Sequence, residues 1–152
     1  IHGHYPFMNL FEGNDLEEIG IGDYWGPAGP GNTYFRNRVN GEGIIYYDAS
    51  HRQNLVGNVT TVLRDQDEQA EEKLEHGNVV NGVVQWDPGI ESQELPGSYY
   101  LDSVPSFFQD QPWPPFGPDI SGESKLPAQE RFESFPFLHV WLDSSVNFII
   151  HY

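Results

Sequence analysis

A short phrase recurs through the first half of the chain, and its period restricts the fold more than any other feature. It reads NLFEGN at residues 9–14, NTYFRN at 32–37, NLVGN at 54–58 and NVVN at 78–81. The leading asparagines, Asn9, Asn32, Asn54 and Asn78, are 23, 22 and 24 residues apart. The closing ones, Asn14, Asn37, Asn58 and Asn81, are 23, 21 and 23 apart. Each pair encloses an apolar couple: Leu10-Phe11, Tyr34-Phe35, Leu55-Val56 and Val79-Val80. A second β-forming segment follows each phrase: IGIGDYW, GIIYYDAS, TTVLRDQ and GVVQWDPG. A unit this short cannot bury its own apolar face, so it must stack on its neighbours. Leucine-rich repeats have a similar period, but their leucine pattern is absent here, and propeller blades need about 40 residues per repeat. The expected fold is therefore all-β, a parallel β-solenoid of about four coils. Asparagine suits its corners because it tolerates the left-handed backbone conformation. Stacked side-chain amides can also hydrogen-bond along the axis, so the eight asparagines are expected to form ladders.

Charge narrows the partners. The chain carries 23 acidic against 7 basic residues, a formal net charge of -16. Phosphate backbones and anionic membrane surfaces need clustered Lys and Arg, so nucleic acid is excluded as a partner. An acidic surface suits solubility, cation binding or a saline medium. With no cysteine, disulfide and thiolate chemistry are unavailable. No apolar run approaches the ~20 residues of a membrane span. The start at Ile1 rather than Met is read as a mature or cleaved product, or as part of a longer polypeptide.

Three stretches are expected: coils over residues 1–90, a Pro-rich wrapping segment over 91–132, and an apolar strand pair or docking arm over 133–152. Residues 67–77, DEQAEEKLEHG, read as a charged helical insertion between the third and fourth coils. Nothing at the N-terminus resembles a polar cap, and solenoid ends need capping. The first coil would expose unpaired backbone. Its expected cover is another copy of the chain or a preceding part of the same protein.

The four coils resemble the right-handed parallel β-helix of the pectate-lyase-like superfamily. The stretch LPGSYYLDSVPSFFQDQPWPPFGPD followed by KLPAQERF is similar to the closing segment of bacterial secreted β-helix proteins. There a Pro-Ser-Leu-Tyr-Leu-like phrase precedes a Trp-Pro-x-x-Gly-Pro-Asp phrase. The counterparts here are residues 96–101, with Gly97 inserted, and residues 113–119. The resemblance spans residues 9–132. It implies a right-handed helix and an extracellular or cell-surface location. It leaves activity open, because the superfamily holds lyases, hydrolases, epimerases, adhesins and phage spikes.

Several residue sets are candidates for chemistry. Aligning the second segments puts Asp48, Asp65 and Asp87 in one column, with Asp23 near it but shifted. Coils stack about 4.8 Å apart, so such carboxylates would bind Ca²⁺ or share a proton. They also suit an acid/base pair acting on a glycosidic bond. The same aspartates equally read as turn caps at strand ends. Lyase chemistry needs a base and a cation beside a uronate carboxylate. His51 is the candidate base, and Arg36, Arg38, Arg52 and Arg64 are candidate cations, with surface ion pairing as the alternative. Tyr24, Trp25, Tyr46, Tyr47 and Trp86 would stack on sugar rings if exposed, with Arg36 and Arg38 as outward-facing contributors to a saccharide surface. His2 and His4 share a strand face without an evident third metal ligand. Asn58 heads a glycosylation sequon that also belongs to the ladder.

Two functions follow. The first is an extracellular structural or interaction protein that stacks or docks through its open coil edge into a larger assembly or filament. The second is a carbohydrate-active enzyme, or its C-terminal part, with Asp48, Asp65, Asp87 and Arg64 as the site and polysaccharide as partner.

Overall fold

A computed structural model describes residues 3–108, 111–122 and 124–134, together with the strand backbone at 141–142 and 148–149. The chain is a parallel β-solenoid of about 3 turns. One sheet stacks β1 (Leu10–Glu12), β3 (Thr33–Phe35), β5 (Asn54–Val56) and β8 (Leu74–His76), all parallel. The second stacks β2 (Asp15–Ile21), β4 (Arg38–Tyr46), β6 (Val59–Thr60) and β9 (Asn78–Val80), with β7 (Leu63–Asp65) on the far half of β4. The stack then reverses: β10 (Val83–Gln85) runs antiparallel to β9. Asn81-Gly82 makes the turn, with φ of 48° and 78°. Two consecutive left-handed residues are what a two-residue hairpin of the right twist requires, and Asn-Gly supplies them at low cost. The expected fourth coil is thus a hairpin, and Asn81 is a turn residue rather than a ladder rung.

Corners explain why strands this short hold their places. The residue before each turn into the second sheet has positive φ: Gly13 (67°), Arg36 (49°), Gly57 (66°) and Gly77 (65°). An asparagine follows each, and the four form one ladder. Asn14 Nδ2 donates to Asn37 Oδ1, Asn37 Nδ2 to Asn58 Oδ1, and Asn58 Nδ2 to Asn78 Oδ1, at 2.9 to 3.0 Å. Each acceptor also takes the backbone N–H of the preceding rung. A second corner repeats the device with Met8 (55°), Gly31 (77°), Arg52 (55°) and Glu72 (52°). Its ladder runs from Asn9 to Asn32 to Gln53. Asn54 lies one place further on, in register with Thr33, whose hydroxyl it meets.

The core lies between the two sheets and holds Ile19, Ile21, Tyr34, Val39, Ile44, Tyr46 and Leu55, with Ala28 and Ala70 from the third side. Phe11 stacks on Tyr34 at 5.3 Å. Residues 67–77 are not helical: Ala70 enters the core, and Leu74–His76 is β8. Burying charged Glu71 and Glu72 would be costly, and both stay exposed on this side.

The hydroxyls of Tyr34 and Tyr46 are buried and find no hydrogen-bond partner among the described residues. Burial pushes both phenols far above their usual range, and the nearby Glu75 carboxylate adds to the effect at Tyr46. Unpaired buried hydroxyls are net costs. Tyr34→Phe is therefore expected to leave stability unchanged or raise it by ~1 kcal/mol, as measured by urea unfolding.

After β10 the chain returns along the outside of the solenoid as an irregular segment with a 3-10 turn at Ser106–Phe108 and a helix, α1 (Pro127–Ser134). Further on, β11 (Trp141–Leu142) pairs antiparallel with β12 (Phe148–Ile149). Most of the expected arm at 133–152 lies outside the described residues.

Candidate functional site

The strand registers decide which side chains can act together. Tyr46 lies beside Asp65, and Ile21 beside Tyr46. Asp65 therefore continues a core row. It accepts from the backbone of Ala70 at 2.9 Å and from Lys73 Nζ at 3.2 Å. Burial alone would raise its carboxyl, but the Lys73 and backbone bonds outweigh that and hold it below the usual range. Asp87 follows β10 and caps its own turn, taking the N–H of Gly89 at 2.7 Å, while its backbone N–H goes to His76 Nδ1. The expected column of Asp48, Asp65 and Asp87 does not form, so that catalytic and Ca²⁺ set is not brought together.

The acids that do align are Asp23, Asp48 and Asp67, two residues beyond the paired positions. The Asp67 carboxylate accepts the backbone N–H of Asp48 at 3.0 Å, and Asp23 takes that of Trp25 at 2.7 Å. With Glu18, Tyr24, Tyr47 and Gln66 they line an open cleft of about 790 Å³. Gly22 forms its floor with φ of 92°; a Cβ there would meet Ser50 Oγ at 2.8 Å and Tyr47 O at 2.9 Å. Tyr47 donates to Glu18 Oε1 at 3.3 Å, and its phenol is pushed up by burial and by that carboxylate. Arg64 is exposed on β7 near Tyr47. Among the described residues, no three His, Cys, Asp or Glu side chains come close enough to hold a metal ion. The cleft presents acceptors to hydroxyl or ammonium donors, beside a largely exposed Tyr24 that packs edge-on against Trp25.

Arg36 and Arg38 are not saccharide contacts. Arg36 is 1% exposed and is gripped by the returning segment. Its Nε donates to Pro96 O at 2.8 Å, Nη1 to Phe116 O at 2.9 Å, and Nη2 to Leu95 O at 3.3 Å. The fork closes on both Asp119 oxygens at 2.7 and 3.0 Å. That bond holds the Asp119 carboxyl below the usual range. A Cβ on Gly117 would overlap the guanidinium, which is why glycine sits there. The phrases at 96–101 and 113–119 thus converge on one clasp. Arg38 grips Asp15 through both oxygens, donates to Ser124 O at 2.9 Å and lies 4.5 Å over the Phe116 ring. Gln129 of α1 bonds the same Asp15.

The other candidates have local roles. Trp86 packs against His76 at 4.8 Å, and Tyr46 is core. His51 Nδ1 accepts the N–H of Glu71, and Arg52 pairs with Glu72 in solvent. Asn58 is fully buried, both amide hydrogens used, so its sequon is closed to modification in the folded chain. His4 is exposed, and His2 lies outside the described residues.

The two ends of the solenoid differ. At the first level, β1 and β2 are edge strands, with no further strand paired to them among the described residues. Leu10 and Leu16 are 41% and 38% exposed there, and Leu16 is in register with the buried Val39. At the last level the core rows end in polar residues: Glu75 lies in register with Leu55, and Asp65 with Tyr46. Hairpin β9–β10 ends the parallel stacking there and leaves β10 as the exposed edge of the second sheet. Sequence reasoning missed Glu18, Gln53 and Asp67. The recurring dipeptide Gly13-Asn14, Arg36-Asn37, Gly57-Asn58, Gly77-Asn78 was the signal that fixes the register. No family model, curated protein or solved structure matches this chain.

Proposed function

We propose that the chain is a structural and interaction protein, a β-solenoid module that docks into a larger extracellular or cell-surface assembly through the edge of its first coil. The contrast between the two ends carries this reading. One end exposes Leu10 and Leu16, beside Glu17 and Glu18, on unpaired strand edges, a template for further pairing. At the other end β8 and β10 are edge strands too, and Val83 and Val84 are exposed. But the core rows finish there in Glu75 and Asp65, and a hairpin turns the chain back, as a terminal cap does. Such a module ends a stack rather than propagating a filament. The corner ladders and the clasped closing segment support placing it with the right-handed, pectate-lyase-like β-helices.

A chain carrying a second copy of residues 9–31 inserted before Asn9 tests the docking edge. The added coil is expected to stack, protecting the amides of β1 and β2 from exchange and raising the melting temperature by roughly 5 °C or more, given ~2–4 °C per kcal/mol at this size. An added coil that exchanges freely at an unchanged melting temperature rejects it.

The acidic cleft favours a second reading, binding of a saccharide against Tyr24, Tyr47 and Asp48. Incubation with neutral, amino and uronate polysaccharides would show saturable binding weakened by Asp48→Asn, or no binding at all.

A further inference from the structure

We infer that the partner at the first-coil edge is a β-solenoid turn of different sequence, and that it is recognised by two stacked side-chain amides, one at each corner. The inference rests on the docking reading above and specifies its chemistry. Inside the stack, every ladder oxygen receives hydrogen bonds from the level above: Asn37 Oδ1 takes both the N–H and Nδ2 of Asn14, and Asn32 Oδ1 takes both from Asn9. At the top of the two ladders, Asn14 Oδ1 and Asn9 Oδ1 receive none among the described residues. Both remain accessible, as half-buried Asn14 and exposed Asn9. Two acceptors thus await the backbone N–H and amide Nδ2 of an incoming residue at each corner.

The level above is already begun. Met8 N–H donates to Pro30 O at 3.1 Å, and Gly29 N–H to Pro6 O at 2.9 Å. Residues 6–8 therefore lie over residues 29–31 as one coil lies over the next, and Met8 has the left-handed φ of that corner. The space beside them, over β1 and β2, is what a further turn would fill, running parallel and in register. An asparagine at each corner supplies both donors from one position, as Asn9 and Asn14 do for the level below.

A second copy of this chain fits poorly. Its last level has Lys73, not an asparagine, at one corner, and at the other Asn78, whose outer edge is already paired with β10. Head-to-tail stacking therefore does not supply a side-chain amide and free N–H at both corners. Head-to-head contact reverses strand direction, which breaks both ladders. It would also set exposed Glu17 against its own copy in a chain of net charge -16.

The test uses the chain with the inserted copy of residues 9–31, and a variant in which the inserted copy carries Asn9→Ala and Asn14→Ala. Hydrogen exchange at β1 and β2 is expected to be at least ~10-fold faster in the variant, because hydrogen bonds at both corners are lost. Equal protection in the two chains overturns amide recognition while leaving the docking edge intact. If even the unsubstituted copy fails to stack, the docking reading falls instead. Sedimentation of the unextended chain should show a monomer at all concentrations. Self-association abolished by Leu16→Lys would assign the edge to a second copy and overturn the choice of partner.

Discussion

Asn58→Ala is expected to cost about 4 kcal/mol, a large share of the ~5–15 kcal/mol that holds a domain folded. Asn58 is the central rung and makes four side-chain bonds. It accepts from the N–H and Nδ2 of Asn37 at 3.1 and 3.0 Å and donates to Tyr34 O and Asn78 Oδ1 at 2.8 and 3.0 Å. Alanine leaves the Asn37 N–H and Nδ2 and the Tyr34 carbonyl without these partners, in a layer where Asn37, Asn58 and Asn78 are all fully buried. Water cannot replace the lost bonds without opening the stack, so the desolvation penalty of each orphaned group counts. Asn14→Ala, at the half-exposed first rung, should cost only ~1 kcal/mol because one bond is lost and Asn37 Oδ1 keeps the backbone N–H of residue 14. Urea unfolding of the two variants measures the difference; equal losses would mean that the ladder does not carry the stability.

Arg36→Ala should release the returning segment at a cost of ~3 kcal/mol, since it removes the buried partner of a charged pair. Asp119 is 53% exposed and can rehydrate, which places the cost at the lower end for such pairs. The released stretch should become protease-sensitive between residues 95 and 119, with the solenoid beneath still folded. A paired variant separates clasp from backbone. Arg36 has φ of 49° at a corner where the three other residues are glycine. Arg36→Gly loses the same clasp but relieves the left-handed strain, and should be about 1 kcal/mol more stable than Arg36→Ala. Arg36→Lys keeps the charge but loses the bidentate fork and should behave nearer to alanine. Limited proteolysis with thermal melts of the three variants would decide it; an intact closing segment in Arg36→Ala would remove the clasp.

The period and the corner asparagines were enough to read a stacked β-solenoid from the sequence, because unit length and corner chemistry are local. Register was not, because the coils are of unequal length. Rungs Asn14, Asn37, Asn58 and Asn78 follow at 23, 21 and 20 residues. Aligning the coils by their asparagine phrases therefore lets the phase drift. That drift moved Asp65 into a column that belongs to Asp67 and put Asn54 in the leading ladder where Gln53 stands. It also placed Asn78 in the leading ladder and Asn81 in the closing one, whereas Asn78 is the closing rung below Asn58. The acidic run at 67–77 has helix-forming composition, but stacking on β5 overrides it at Leu74–His76. Arg36 looked like an outward strand residue. Its role depends on Asp119, 83 residues away, a pairing that no local pattern encodes.

The unequal coils also say where this architecture can grow. The Gly-Asn corners admit no extra residue without breaking a ladder, and a Cβ at Gly77 would already meet Trp86 at 2.6 Å. The third side of each turn obeys no such rule: it absorbs the difference between coils of 23 and 20 residues, while the first sheet stays in phase and the second shifts register only within β4. New loops, and whatever recognition they bring, can be grafted there one turn at a time. The exposed Tyr24 and Trp25 occupy the longest of these sides, so variation between relatives of this protein should collect on that flank and spare the other two.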